Sequence, residues 1–122
     1  MSYEDLHINE IDNFLKQDNV IVIDVRDIHS FRAEHIKGAV HIDGPTMGNL
    51  IRQRKNNPAI LIYCYHGNLS RDVASMVSGF GFTNVSHLVG GWEAWTHHQQ
   101  SAESRQPESQ PAFDMPLADA FA

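Results

Sequence analysis

The chain has 122 residues, 42% hydrophobic and 20% charged, the size and make-up of one globular domain with its own core and not of two. With 9 Lys and Arg against 15 Asp and Glu its formal charge is −6, which argues against nucleic-acid binding and against a basic membrane-surface patch. Aliphatic runs such as Ala59 to Ile62 fall far short of the roughly 20 residues of a membrane span. The acidic start Tyr3-Glu4-Asp5 has no apolar stretch behind it, so a cytoplasmic protein is expected.

In chain order, Leu6-His7-Ile8 can add an edge strand. Asn9 can cap a helix with Ile11, Phe14 and Leu15 on its apolar face. Val20 to Val25 is a β-branched run, continuous enough to be a strand buried on both faces. Ser30 can cap a short turn from Phe31 to His35, and Ala39 to Ile42 is a short strand. Thr46 to Arg54 carries Met47, Leu50 and Ile51 at helical spacing, and Ala59 to Cys64 is a second buried strand. Ser70 opens a helix with Val73, Ala74 and Val77 on one face, ending near Gly79-Phe80-Gly81. Val85 to Val89 is a further strand, and Gly90-Gly91 leads into a short helix from Trp92 to His97. Strands alternating with helices predict an α/β fold with a parallel sheet between helices.

The domain is expected to occupy residues 1–98. From Gln99 to Pro111 no side chain apart from the prolines is both apolar and larger than alanine. Such a stretch cannot bury enough surface to offset its ordering entropy, so 99–122 is read as a disordered tail. Its end, with Phe113, Met115, Leu117 and Phe121 among acids, is the segment that could dock on this domain or on a protein partner.

The lone cysteine, Cys64, excludes an internal disulfide and any multi-cysteine zinc site. It ends a central strand and is followed by Tyr65-His66-Gly67-Asn68-Leu69-Ser70-Arg71 and then a helix. In open parallel sheets ligands bind beyond the carboxyl ends of the strands. There, loop N–H groups and the positive end of a helix dipole form an anion cradle. A thiolate is itself an anion, so a cysteine held there should ionise more readily than free cysteine. Gly67 permits the positive φ and close backbone approach of a curled loop, and Asn68 tolerates left-handed geometry.

The loop Cys64-Tyr65-His66-Gly67-Asn68-Leu69-Ser70 resembles the active-site loop of the rhodanese sulfurtransferases, most of all the single-domain bacterial type associated with glycerol-phosphate metabolism. Asp24-Val25-Arg26-Asp27 with Phe31-Arg32-Ala33-Glu34-His35-Ile36-Lys37-Gly38-Ala39 is similar to that family's N-terminal signature. Val89-Gly90-Gly91-Trp92-Glu93-Ala94-Trp95 is similar to its C-terminal one. The resemblance covers roughly residues 5 to 98. It implies a rhodanese-like α/β domain, a parallel five-stranded sheet flanked by helices on both sides. It also implies thiosulfate sulfur transfer. Cys64 would attack the outer sulfur of thiosulfate and carry it as a persulfide to cyanide or a thioredoxin-like dithiol, with no metal and no organic cofactor. Tyr65, His66, Gly67, Asn68, Leu69, Ser70 and Arg71 would form the anion-binding loop. Many family loops carry Arg where this chain has Leu69, and Arg71 or His66 is then the candidate for pairing with the anionic donor. The alternative is a sulfur-carrier or protein-interaction module with little thiosulfate turnover.

Phosphatases and arsenate reductases of related architecture place an Arg after a Cys and five residues, to clamp a tetrahedral oxyanion. Here Ser70 is the sixth residue after Cys64, so that spacing is not met. Asp24 and Arg26, at the end of the first central strand, read as a structural pair near the site, with an acid–base role as the competing reading. His35 and His41 read as framework residues. Adjacent His97 and His98 do not share a helix face and are not read as metal ligands. Trp92 and Trp95 read as core packing.

Overall fold

The structure, a computed structural model, describes residues 2–105. Five strands, β1 (Glu4–Leu6), β2 (Val20–Asp24), β3 (Val40–His41), β4 (Ala59–Tyr63) and β5 (Val85–Leu88), form one sheet in the order β1-β5-β4-β2-β3. Every neighbouring pair is parallel. The helices are α1 (Ile11–Leu15), α2 (Ile28–Ala33), α3 (Gly44–Arg52), α4 (Leu69–Ser78) and α5 (Gly91–Arg105), with 3-10 turns at Ile8–Glu10 and Arg54–Asn56.

Side chains alternate across a strand, so β4 feeds two cores. Ala59, Leu61 and Tyr63 join Leu6, Ile11, Phe14, Val22 and Leu88 on the face covered by α1, α2 and α5. Ile60, Ile62 and Cys64 join Ile23, Val25, Leu50, Ala74, Val77 and Val85 on the face covered by α3 and α4. All five residues of β4 are buried, which accounts for its unbroken apolar run. Fully burying each such aliphatic side chain contributes about 1.5–3 kcal/mol.

The strands lie within two residues of their expected bounds, whereas the helix starts were less legible. Asn9 does not cap α1. A 3-10 turn precedes that helix, and the Glu10 carboxylate accepts from the His7 N–H at 3.2 Å. Asp27, not Ser30, caps α2, its side chain accepting from the Ser30 N–H at 3.0 Å. Asp43 caps α3 in the same way through the Thr46 N–H. The cap of α4 is Asn68, and the Ser70 hydroxyl is turned inward. The helix expected over 92–97 is the fifteen-residue α5, which continues through the polar residues 99–105. Gln, Ala, Glu and Arg are good helix formers, and a polar stretch propagates a helix already nucleated by packed Trp92 and Trp95. The proposed tail beyond Arg105, with Phe113 and its neighbours, lies outside the described residues.

Candidate active site

Cys64 follows β4 directly, at the carboxyl edge of the sheet, with its side chain on the α3/α4 face. The loop 65–68 then folds back so that its amides point at the sulfur. Sγ accepts from the Gly67 N–H at 3.1 Å and the Ser70 N–H at 3.4 Å, and the Ser70 hydroxyl lies 3.5 Å away. The helix dipole of α4 has its positive end at the same point. Burial raises the Cys64 pKa. The bonds from the Ser70 hydroxyl, the Ser70 and Gly67 N–H groups and the His66 N–H outweigh it, and the net shift is downward. The expected cradle is therefore present, and the thiol ionises more readily than free cysteine.

Two features hold the loop in this shape. Gly67 has φ +103°, and a Cβ there would press on the Gly90 nitrogen at 3.2 Å. On the other side the start of α5 clamps the loop's carbonyls. The Trp92 N–H donates to the Cys64 carbonyl at 2.7 Å and the Glu93 N–H to the Tyr65 carbonyl at 3.2 Å. Gly91 permits this approach, because a Cβ on it would collide with the Cys64 carbonyl oxygen and lie 2.7 Å from the Tyr65 carbonyl carbon. The Gly-Gly-Trp segment thus takes up the loop carbonyls while the N–H groups face the sulfur.

Cys64 opens into a cavity of about 300 Å³, walled by Val25, Tyr65, His66, Asn68 and Leu69. Tyr65 (41% exposed) and Leu69 (51%) form an apolar rim. The Tyr65 hydroxyl reaches across to Asp27 at 2.9 Å and to Ser30. The Ser30 and Tyr65 bonds hold the Asp27 carboxyl down at a pKa of about 2. The His66 ring is exposed and faces Glu93 at 3.3 Å.

The loop does not bring every expected member to the cavity. Gly67 and Ser70 lie buried beneath the sulfur, and Asn68 and Leu69 border the opening. Arg71 is exposed and outside the lining, because successive helical residues point about 100° apart and Ser70 is the one turned inward. Among the described residues Arg26 is the only Lys or Arg in the lining, and its Nε and Nη2 are taken. Its guanidinium bonds both oxygens of Asp24 at 2.8–3.1 Å and the Glu34 carbonyl at 2.6 Å, and stacks over Trp92 at 4.3 Å. Asp24 also accepts from the Tyr63 hydroxyl at 2.6 Å, and burial with this bond raises the Tyr63 pKa. Asp24 and Arg26 are thus a buried ion pair at the edge of the site, with the Nε–Nη2 edge of the guanidinium taken by the carboxylate. His41 donates to the Arg26 carbonyl at 2.6 Å and His35 contacts the Phe31 carbonyl at 2.7 Å, as framework residues would.

Sequence reasoning missed Asp5 and His87. His87 is completely buried and lies 3.1 Å from the Ser70 hydroxyl and 2.9 Å from the Asp5 carboxylate. Its strand was legible, but β1 pairing beside β5, which sets Asp5 opposite His87, was not.

Residues 7–98 match the family described as Rhodanese-like domain. The chain is 40% identical over 80 residues to the thiosulfate sulfurtransferase GlpE of Pseudomonas putida strain GB-1, covering 66% of this chain and 73% of that one. It is 31% identical over 104 residues to the same-named protein of Coxiella burnetii strain RSA 331, covering 85% and 97%. Among solved structures, a rhodanese-like domain protein from Staphylococcus aureus superposes with TM-score 0.63 at 24% identity, over 75% of this chain and 90% of that one. A thiosulfate sulfurtransferase from Pseudomonas aeruginosa superposes with TM-score 0.66 at 18% identity, over 80% of this chain and 19% of that one. These superpositions speak for the fold, and the sequence matches speak for the family. The chain belongs to the rhodanese-like family, and within it to the GlpE type of sulfurtransferase.

Proposed function

We propose that the protein moves sulfane sulfur from thiosulfate to a thiophilic acceptor through a persulfide on Cys64. The observation that carries this reading is the Cys64 sulfur receiving the Gly67 and Ser70 amides at the floor of an open cavity. The Cys64 thiolate attacks the outer sulfur of thiosulfate. The S–S bond of thiosulfate breaks and sulfite leaves with its electron pair. The persulfide's terminal sulfur carries the negative charge, and the inward amides stabilise it as they stabilised the thiolate. Cyanide or a thioredoxin-like dithiol attacks that sulfur, and the Cys64 thiolate is regenerated. The relatives named thiosulfate sulfurtransferase support thiosulfate as donor. The absence of any helix among the described residues long and apolar enough to cross a membrane is compatible with the cytoplasmic setting we assign.

The test is sulfite and thiocyanate production from thiosulfate and cyanide, with Cys64→Ser as control. Turnover in the wild type and none in the variant is expected. After thiosulfate alone, the mass of the wild type should rise by about one sulfur atom. Wild type that neither turns over nor gains sulfur overturns the reading.

One observation favours a second reading, a sulfur carrier loaded by a protein donor. Leu69 stands exposed on the rim, and Arg26, the only guanidinium among the described residues of the lining, is paired with Asp24 rather than presented to a small dianion. In that case Cys64 gains sulfur from a cysteine persulfide donor and not from thiosulfate.

A further inference from the structure

The site contains a buried titratable group that the sulfur-transfer steps do not use. His87, on β5, joins two elements. Its Nε2 lies 2.9 Å from the Asp5 carboxylate of the edge strand, and its Nδ1 lies 3.1 Å from the Ser70 hydroxyl at the start of α4. Ser70 in turn is 3.5 Å from the Cys64 sulfur. The His87 side chain is 0% exposed, while Asp5 keeps one side in water at 52%. The four groups form an unbroken chain from solvent to the nucleophile.

We propose that Asp5, His87 and Ser70 are a proton relay that takes up the Cys64 thiol proton as the thiolate forms. The proposal rests on the reading of Cys64 as a thiolate nucleophile and adds the base that ionises it. In the thiol state Cys64 S–H donates to the Ser70 oxygen, the Ser70 hydroxyl donates to His87 Nδ1, and His87 Nε2–H donates to Asp5. Ionisation moves two protons in the same direction. The Sγ–H bond breaks as a new O–H bond forms on Ser70, and the old Ser70 O–H bond breaks as an N–H bond forms at Nδ1. Ser70 is unchanged overall, the negative charge sits on sulfur, and the positive charge sits on an imidazolium held by Asp5. Each contact keeps one donor and one acceptor in both states, so no buried polar atom is orphaned.

The surroundings of His87 suit a neutral imidazole that accepts a proton only when the thiolate appears. Burial is the largest influence and disfavours its charge, Asp5 favours it, and Arg71 and His7 nearby disfavour it. The Tyr3 ring packs edge-on at 5.5 Å from the other side. Gly67 closes the top, since a Cβ there would lie 3.8 Å from His87 Cε1. His87 and Asp5 do not touch the reacting sulfur. They are positioning residues that act through Ser70.

The test is the pH profile of Cys64 alkylation by iodoacetamide, which needs no sulfur donor and is therefore independent of the sulfur-transfer reading. His87→Asn keeps a polar group beside Ser70 but cannot take the proton. Its alkylation should be about tenfold slower than wild type at pH 7 and should recover to the wild-type rate by about pH 10, where the thiol ionises unaided. A variant that misplaced the loop would also lose the amides on the sulfur and raise the thiol pKa. The Gly67 and Ser70 amide resonances should therefore match wild type in the variant, and displaced ones would assign the change to the loop and overturn the relay. Asp5→Asn, at a half-exposed edge position, should move the profile in the same direction by several-fold at pH 7. It serves as the second variant if His87→Asn fails to fold. Independently, the His87 ring nitrogens followed by NMR should hold the second proton to higher pH in the wild type than in Cys64→Ser. Unchanged alkylation profiles, a uniform loss at every pH, or identical His87 titrations with and without the thiol would overturn the relay. Normal coupling with no sulfur uptake from thiosulfate would instead sink the sulfur-transfer reading alone.

Discussion

Leu69 is the residue at which this site differs most from an anion clamp. It is 51% exposed on the cavity rim, and the only guanidinium among the described residues of the lining, that of Arg26, is paired with Asp24. A guanidinium placed there by Leu69→Arg can form a charge-assisted bond to thiosulfate, for which about 1.5–3 kcal/mol is typical. The KM for thiosulfate should therefore fall by roughly tenfold or more, with kcat little changed, because the new bond forms to donor and transition state alike. Steady-state kinetics decide the matter, and an unaltered KM would mean that the donor does not pass Leu69. At the same scale, Gly91→Ala should cost stability and slow Cys64 alkylation. An L residue at φ +57° costs about 1–3 kcal/mol, and its Cβ would displace the Cys64 and Tyr65 carbonyls. Chemical denaturation and the alkylation rate check the two effects separately.

The working unit at the scale of elements is a loop held between two helix starts. α4 directs its amides and dipole at the sulfur, while α5 uses the Trp92 and Glu93 N–H groups to hold the loop's carbonyls. A third start, that of α2, reaches the rim through Asp27, which accepts from Ser30 and from the Tyr65 hydroxyl. Asp27 has its pKa lowered to about 2 in the folded protein. A lowered carboxylate contributes stability in full above its unfolded value of about 3.9 and loses it as pH falls through the folded value. The α2 start and the Tyr65 rim should therefore stay ordered to below pH 4 and loosen towards pH 2, followed by amide exchange of Ser30 or the Tyr65 ring resonances. Asp27→Asn should remove that acid transition while leaving the sheet intact.

On the scale of the whole molecule, the sheet separates the chemistry from its support. Cys64 and His87 face the α3/α4 layer, whereas Asp24, Arg26 and Tyr63 form a polar cluster on the other side against Trp92. Breaking that cluster with Arg26→Ala leaves a buried carboxylate with only Tyr63 and the Arg26 backbone as donors. The expected loss is about 3–5 kcal/mol of stability. Ile62→Ala, at a fully buried position of β4, should cost about 2–5 kcal/mol through the cavity it leaves between the sheet and the α3/α4 layer. Urea unfolding with an unchanged slope would assign both losses to the native state.

The order of elements and the place of Cys64 at a strand end were legible because they depend on local information. The runs Val20–Val25 and Ala59–Cys64 are strands by composition, and a cysteine at a strand end before a Gly-containing loop and a helix predicts amides around the sulfur. Tertiary structure decided what lies behind that sulfur. Asp5 and His87 are 82 residues apart and meet only because β1 pairs beside β5. Ser70 reads as a helix opener until the sheet supplies an imidazole that turns its hydroxyl inward. Arg26 reads as the structural partner of Asp24, and only the tertiary structure adds the Glu34 carbonyl and the Trp92 ring around its guanidinium. Periodicity along a chain records which face a side chain occupies. It carries no record of strand order, and strand order determines which side chains share that face.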